Sequence, residues 1–245
     1  MLPTITITPG LTPAYIYLPD EVVPAYPLAL LRILSPGDGS SVISPIRPEI
    51  SIILGAGNLV EVELLNSSGE LLVKKLLQYP EVKNGERILI QPELDFEIIN
   101  NGEIGRLVVK TQDDNGRAIA LASCDLKLLS EGKPILVSAS PPYESFLLTE
   151  PLAGDVILNG VVQVSGYIRP VGSSMIVIEL VGQNGEVISN RVLKLDNDPG
   201  GAPVEFSTTL PYLVERETPV RLILRQTRGA IPGPAVTSSI LINIR

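Results

Sequence analysis

A long internal repeat restricts the possible folds of this chain more than any other feature. The segment from Val60 to Leu71 reappears from Ile176 to Val187, with apolar, acidic and turn residues in the same order. Two further pairs of segments match at nearly the same offset: Arg106 to Lys110 with Arg221 to Arg225, and Cys124, Leu126 and Leu128 with Ile240, Ile242 and Ile244. A repeat of this length is longer than a solenoid unit, so we expect two copies of one whole domain.

Alternating apolar residues predict strands in both copies. Val60, Val62 and Leu64 lie two residues apart, as on one face of a strand, and no segment shows a convincing helical period. The Asn66–Gly69 and Gly182–Gly185 segments contain residues that tolerate positive φ, which predicts a hairpin at the same place in each copy. Short strands with turn residues at ~8–12-residue spacing favour an all-β fold of two tandem β-sandwich domains.

The domain limits follow from composition. Residues 1–27 are rich in Thr and Pro, which predicts an extended, semi-rigid spacer. The spacer contains Tyr15, Tyr17 and Tyr26, which either fold back onto the first domain or stay exposed for a partner. Residues 28–132 are predicted to form the first sandwich and residues 133–245 the second, with 131–145 connecting them. Ile135 and Val137 are candidates for the start of the second domain's first strand.

Charge and residue usage exclude several functions. The 19 basic and 27 acidic residues give a net charge of −8, which repels phosphate backbones, so nucleic acid is not an expected partner. The chain has no histidine and one cysteine, which excludes imidazole acid–base chemistry, Ser-His and Cys-His nucleophiles and tetrahedral Cys/His zinc sites. Cys124 lies on an apolar alternation and is predicted to be a buried, unreactive thiol.

Membrane signals are also missing from the sequence. No stretch approaches the ~18 consecutive apolar residues that cross a bilayer, and the N-terminus lacks the regions of a signal peptide. The chain as given is therefore predicted to be soluble, while a membrane tether upstream of Met1 stays open.

Turn and core residues at matched places resemble a known family. They are Ile33, Ser35-Pro36, Gly39, Val42 and Ser44-Pro45 in the first copy, and Val162, Val164, Ser165, Gly166, Ile176 to Val181 and Gly185 in the second. The pattern is similar to the bacterial immunoglobulin-like domain found at the ends of spore-germination proteins and in surface lipoproteins. The resemblance implies two immunoglobulin-like β-sandwiches in an extracytoplasmic, often membrane-tethered, non-catalytic module, and it implies no site residues.

Two acidic turns are candidate calcium sites. Asp113-Asp114-Asn115-Gly116 and Asp196-Asn197-Asp198 offer the oxygen ligands that calcium prefers, but neither has the spacing of an EF-hand. Asx-rich turns usually hydrogen-bond their own backbone, so the structural interpretation is favoured and no metal or cofactor is predicted.

Carboxylates suited to glycoside hydrolysis are poorly placed. Glu61 and Glu63 alternate with Val60 and Val62, which predicts an outward, hydrated position with nothing to raise a carboxyl pKa for general-acid work. An enzymatic function is therefore not predicted.

Binding candidates are aromatic or lie in loops. Tyr143 and Phe146, near the connection, are the best candidates for exposed rings that stack on a glycan, whereas Phe96 and Tyr212 occupy equivalent positions and are predicted to be core residues. Ile231 lies between Gly and Pro in a predicted loop, as a partner contact or packed against its own chain.

The sequence predicts a non-catalytic extracytoplasmic module, at the cell surface or in the periplasm or cell wall. Its partner is expected to be a protein or a cell-surface polymer. The alternative is a module that binds carbohydrate or another cell-wall polymer.

Overall fold

The computed structural model describes residues 26–55, 58–83, 85–139, 142–172, 175–195 and 202–245. These residues form sixteen β-strands, which confirms the predicted all-β class. Their structure contains no helix with the length and apolarity needed to cross a membrane. Residues 1–25 of the predicted spacer and the turn Asp196-Asn197-Asp198 lie outside the described residues.

The first half of the chain, residues 31–129, contains eight strands. They are β1 (Leu31–Ser35), β2 (Ser41–Ile43), β3 (Glu49–Ile53), β4 (Leu59–Leu65), β5 (Leu71–Gln78), β6 (Arg87–Ile90), β7 (Glu103–Gln112) and β8 (Ala118–Leu129). One sheet has the order β1-β3-β6, and the facing sheet has the order β8-β7-β4-β5, with β2 parallel to β8.

The second half, residues 146–244, repeats these strands. They are β9 (Phe146–Glu150), β10 (Val156–Ile157), β11 (Val161–Ile168), β12 (Met175–Val181), β13 (Val187–Lys194), β14 (Val204–Pro211), β15 (Thr218–Thr227) and β16 (Pro234–Ile244). The orders β9-β11-β14 and β16-β15-β12-β13, with β10 parallel to β16, match the first half strand for strand. Two facing antiparallel sheets connected in this way form an immunoglobulin-like sandwich.

Each half has its own apolar core between its two sheets. In the first half Ile50 and Ile52 of β3 face Val62 of β4 and Leu107 of β7, and all four are fully buried. The corresponding cluster of the second half contains Val162, Val164, Ile176, Ile178 and Leu222. These are the residues that alternate in the sequence, because every second side chain of a strand points to the same face.

The predicted hairpins and core residues are present. Gly69 and Gly185 have φ of 81° and 82° and close the β4–β5 and β12–β13 turns. Phe96 and Tyr212 are both buried, as predicted. Cys124 is 4 % exposed, which confirms its predicted burial. Burial is the main cause that raises the pKa of its thiol, to about 12, so little reactive thiolate is expected at neutral pH.

The connecting segment differs from the sequence-based expectation. Ile135 and Val137 do not begin the first strand of the second half, which starts at Phe146. Instead the Ile135 backbone exchanges two hydrogen bonds with Ser41, at 2.8 and 2.9 Å, and the Val137 carbonyl accepts one from Gly37 at 3.1 Å. Both side chains are exposed, because this segment runs outside the edge of the first half.

Candidate functional site

The two halves share one continuous sheet. Strand β8 of the first half pairs antiparallel with β16 of the second, so that eight strands follow the order β13-β12-β15-β16-β8-β7-β4-β5. The paired residues are Ala120 with Ser238, Leu121 with Thr237, and Ala122 with Val236. We call this pairing and the side chains around it the junction.

The junction is pseudo-symmetric. Strands β8 and β16 are the same strand of the two copies, and Leu121 and Thr237 are equivalent positions in the repeat. Because Leu121 pairs with its own equivalent, the flanking pairs are exchanged by a rotation of half a turn about that point. This is the geometry of an isologous contact between identical subunits, here within one chain.

A second contact lies on the same axis. Leu28 and Tyr143, each three residues before the first strand of its copy, form an isolated antiparallel bridge. Ala29 N–H donates to the Pro142 carbonyl at 3.0 Å, and Glu144 N–H donates to Pro27 at 2.9 Å. The segments that enter the two halves therefore hold each other as well.

Arg106 fixes one side of the junction. Its side chain is fully buried, and its guanidinium donates to both carboxylate oxygens of Asp125, at 2.6 and 3.3 Å. It also donates across the junction to the carbonyls of Arg228, at 2.6 Å, and Ile231, at 3.1 Å. A buried guanidinium with these four hydrogen bonds holds the β15–β16 loop of the second half against the first half.

Arg221, the repeat equivalent of Arg106, performs the same task in the opposite direction. Its Nε donates to Asp113 Oδ2 in the β7–β8 loop of the first half, at 3.0 Å. Arg117 donates to the same oxygen at 2.9 Å and to the Val181 carbonyl, in the second half, at 3.4 Å. Burial acts to raise the pKa of Asp113, but the hydrogen bonds and charges of Arg117 and Arg221 outweigh it, and the pKa is lowered.

Two serine hydroxyls complete the symmetric pattern. Ser123 donates to the Ala235 carbonyl at 2.8 Å, and its equivalent Ser239 donates to the Ile119 carbonyl at 2.9 Å. Ser239 also accepts a hydrogen bond from Arg221, at 3.1 Å. The junction is thus bonded by backbone, hydroxyl and guanidinium groups of both halves.

A groove runs between the two contacts on the pseudo-axis. Its floor is formed by the paired strands, with Ala120, Ala122 and Val236, and its walls include Leu31 and Ser145. Glu144, also at the groove, uses one carboxylate oxygen to accept a 2.7 Å hydrogen bond from Leu30 N–H. Burial raises the pKa of this carboxyl. Through this hydrogen bond, Glu144 connects the segment that enters the second half to the segment that enters the first half.

Glu61 and Glu63, the candidate carboxylates for hydrolysis, lie on the outer face of the sheet, opposite the groove. They are not hydrated as expected. Glu61 is 9 % exposed, and Lys74 and Lys110 form ion pairs with both Glu61 and Glu63. Burial acts to raise the pKa of Glu61, but hydrogen bonds with Glu63 and the two lysines outweigh it and lower the pKa to about 2. The outward direction is as predicted, but the expected hydration was wrong because long side chains of neighbouring strands cover each other.

Of the two candidate rings for glycan stacking, only Tyr143 is exposed. Tyr143 is 45 % exposed, with the Arg169 guanidinium 5.2 Å from its ring centre; the same guanidinium lies 4.3 Å above Tyr26, which is buried. Phe146 is 4 % exposed and belongs to the core of the second half, so its predicted exposure was wrong. Strand alternation turns Phe146 toward the core. Its buried ring therefore has no face free to stack on a sugar.

Ile231 is buried as well, at 6 % exposure, so it is not an exposed loop contact. Its loop crosses onto the first half, where its carbonyl binds Arg106 and where Pro232 approaches Gly69. A side chain at Gly69 would place its Cβ 3.1 Å from the Pro232 ring, and Gly69 also has positive φ. Both the close approach and the backbone conformation therefore favour glycine at this position.

The Asp113 turn is occupied by protein groups. Asp113 Oδ1 accepts hydrogen bonds from the backbone N–H of Asn115, at 3.1 Å, and Arg117, at 3.0 Å. Together with the two arginines, these contacts use both carboxylate oxygens. Within the part of the chain that the structure describes, no three His, Cys, Asp or Glu side chains are grouped to hold a metal ion.

Sequence reasoning missed the residues on which the junction depends. Arg106 and Arg221 were found as matched positions of the repeat, but their burial was not predicted. A signal was present: a charged residue recurs at the same place in both copies, at the start of an otherwise apolar strand segment. Their partners in the opposite half were not visible, because the 228–231 loop is far in sequence from Arg106 and Asp113 is far from Arg221.

Comparisons with known proteins add little beyond this description. No protein-family model and no curated protein matches the chain. Among solved structures, it is similar to the FN1–FN3 domains of chicken CNTN1, with 11 % identity, a TM-score of 0.27, and coverage of 84 % of this chain and 69 % of that one. It is also similar to a β-glucuronidase from Ruminococcus gnavus, with 12 % identity, a TM-score of 0.27, and coverage of 81 % and 36 %. Likenesses this weak carry no argument about activity.

We expect Arg106→Met to lower the free energy of unfolding by about 3 kcal/mol, because it removes one partner of a buried ion pair and leaves two junction carbonyls without a donor. Arg47→Met is the matched control; Arg47 forms an exposed ion pair with Glu93, and its loss should cost less than about 1 kcal/mol. Urea denaturation measures both values. Equal effects of the two substitutions would contradict the role assigned to Arg106.

Protein stability is expected to fall on acidification between about pH 4.5 and 2. The folded-state pKa of Glu61 is about 2, below the ordinary value of 4.5, so its contribution is present above the unfolded pKa and is lost as pH falls through the folded one. Glu61→Gln should flatten the dependence of unfolding free energy on pH in this window. A variant curve parallel to that of the wild type would show that Glu61 does not carry it.

Proposed function

We propose that this chain is a non-catalytic structural or protein-interaction module on the outer side of a bacterial membrane. Its turn and core pattern resembles the immunoglobulin-like domain of spore-germination proteins and surface lipoproteins, and the strand order of both halves is compatible with that resemblance.

The mechanism proposed is geometric. The observation that carries it is the pairing of β8 with β16, locked on either side by Arg106 and Arg221. Two sandwiches that share one sheet have little freedom to rotate, since rotation would break backbone, hydroxyl and guanidinium hydrogen bonds together. The module would then present loops and edges of its two halves at a fixed spacing and angle to a protein partner.

The use of the buried charged groups supports a non-catalytic function. Arg106, Arg117 and Arg221 are all buried, and each is committed to a contact across the junction or to a carboxylate there. Glu61, with its pKa lowered to about 2, stays ionised at neutral pH and is unsuited to donate a proton as a general acid.

Spin labels at Ile99→Cys and Leu213→Cys test the fixed geometry. These residues are 97 % and 95 % exposed and lie in different halves, while buried Cys124 should not react with the label. Pulsed electron–electron double resonance, which measures the distance between the two spin labels, should give one narrow distance distribution for the doubly labelled protein.

Arg221→Glu should broaden that distribution, because it places a carboxylate opposite Asp113. Arg191→Glu, the same substitution at an exposed site on β13, is the control and should leave the distribution narrow. A broad distribution in the unmutated background would refute a rigid module.

The compartment is tested separately. In bacteria that express the natural reading frame, a membrane-impermeant amine reagent should modify exposed lysines such as Lys83 and Lys133 in intact cells. Modification that occurs only after lysis would place the protein inside the cell and defeat this part of the proposal.

A further inference from the structure

The junction has the form of a contact between two molecules, although one chain provides both sides. Leu121 pairs with its repeat equivalent Thr237, and Ser123 and Ser239 each donate to a backbone carbonyl of the opposite half. Isologous contacts of this kind are typical of symmetric dimers. The surface that a second copy would need is therefore already built, on each half.

Charges across the junction are divided unequally between the halves. Among the residues that the structure describes, three ion pairs cross it: Arg221 with Asp113 at 3.0 Å, Arg228 with Asp38 at 3.0 Å, and Arg228 with Asp125 at 3.3 Å. In each pair the first half supplies the carboxylate and the second half supplies the arginine. Two second halves facing each other would bring arginines together without these carboxylates, so the charges favour a first half paired with a second half.

Side chains of the connecting segment take little part in this recognition. Residues 131–138 are exposed and lie outside the pairing of β8 with β16. A first half thus meets the same surface whether the second half belongs to its own chain or to another. The covalent connection favours pairing within one chain over pairing between two chains only through the effective concentration of the second half. This concentration is in the millimolar range for short flexible linkers.

We propose that a second copy of this chain is a partner that the junction fits, with the first half of each molecule paired to the second half of the other. The register would be that of the single chain, with Leu121 opposite Thr237 of the other molecule. The unmodified protein should remain monomeric at micromolar concentration, because its own second half is present at a higher effective concentration.

The length of the connection makes this testable with both halves in place. From Leu129, at the end of β8, the chain returns to Tyr143 beside the groove, at the level of Leu121. Eight strand residues separate these levels, a distance of about 26 Å. With residues 131–138 deleted, the remaining chain from Leu129 to Tyr143 spans at most about 22 Å. The halves of one shortened molecule can then meet only if residues at the end of β8 unpair, so pairing between two molecules is favoured.

The shortened protein is expected to have twice the monomer mass by light scattering at micromolar concentration. The matched control replaces residues 131–138 with Gly and Ser of equal number; it loses the same side chains but keeps the length, and it should be monomeric. Adding Arg221→Glu to the shortened protein should weaken the dimer at least tenfold, because this change sets two carboxylates against each other.

A shortened protein that stays monomeric would overturn the proposal, as would a dimer unaffected by Arg221→Glu. The register has its own readout. Shortened chains with Leu121→Cys mixed with shortened chains with Thr237→Cys should form a disulfide between the two kinds of chain, because directly opposed residues of antiparallel strands lie within disulfide range. Disulfides only between chains of one kind would show a different contact and also overturn it.

Discussion

The pairing of β8 with β16 is the constraint on which the rest of this structure depends. An immunoglobulin-like sandwich leaves its last strand at the edge of a sheet, with backbone donors and acceptors that need partners. Here that edge is divided. Strand β2 covers β8 at Lys127–Leu129, and β16 covers it at Ala120–Ala122. Strand β10 and β8 divide the edge of β16 in the same way.

Buried charge gives this pairing its specificity more than its strength. Taking Arg106 out of water has a large cost, and its bonds to Asp125 and two carbonyls of the second half offset that cost only in one arrangement. A shifted register would leave the guanidinium partly unpaired. The free ends of the sheet, β5 and β13, carry Lys74, Lys75, Arg191 and Lys194, charges that discourage uncontrolled pairing.

Much of each half could be predicted from sequence, because its core depends on local alternation. Val60, Val62 and Leu64 alternate in sequence and are buried in the structure. The junction could not be predicted in this way, since Leu121 and Thr237 are ordinary strand residues whose partner depends on how two complete sandwiches meet. The exposure of Phe146 was misjudged for the same reason: flanking residues predicted a connection, but tertiary contacts decide exposure. Ile231 lies in a loop, as predicted, and of its two alternatives the structure has the one packed against its own chain.

Hydrogen exchange at the junction tests the central claim most directly. The backbone amides of residues 120–122 and 236–238 that point toward the opposite half should exchange as slowly as amides between β7 and β4 within one sandwich. Fast exchange of these amides, while the amides inside each sandwich remain protected, would show two sandwiches joined only by their connection and would contradict a shared sheet.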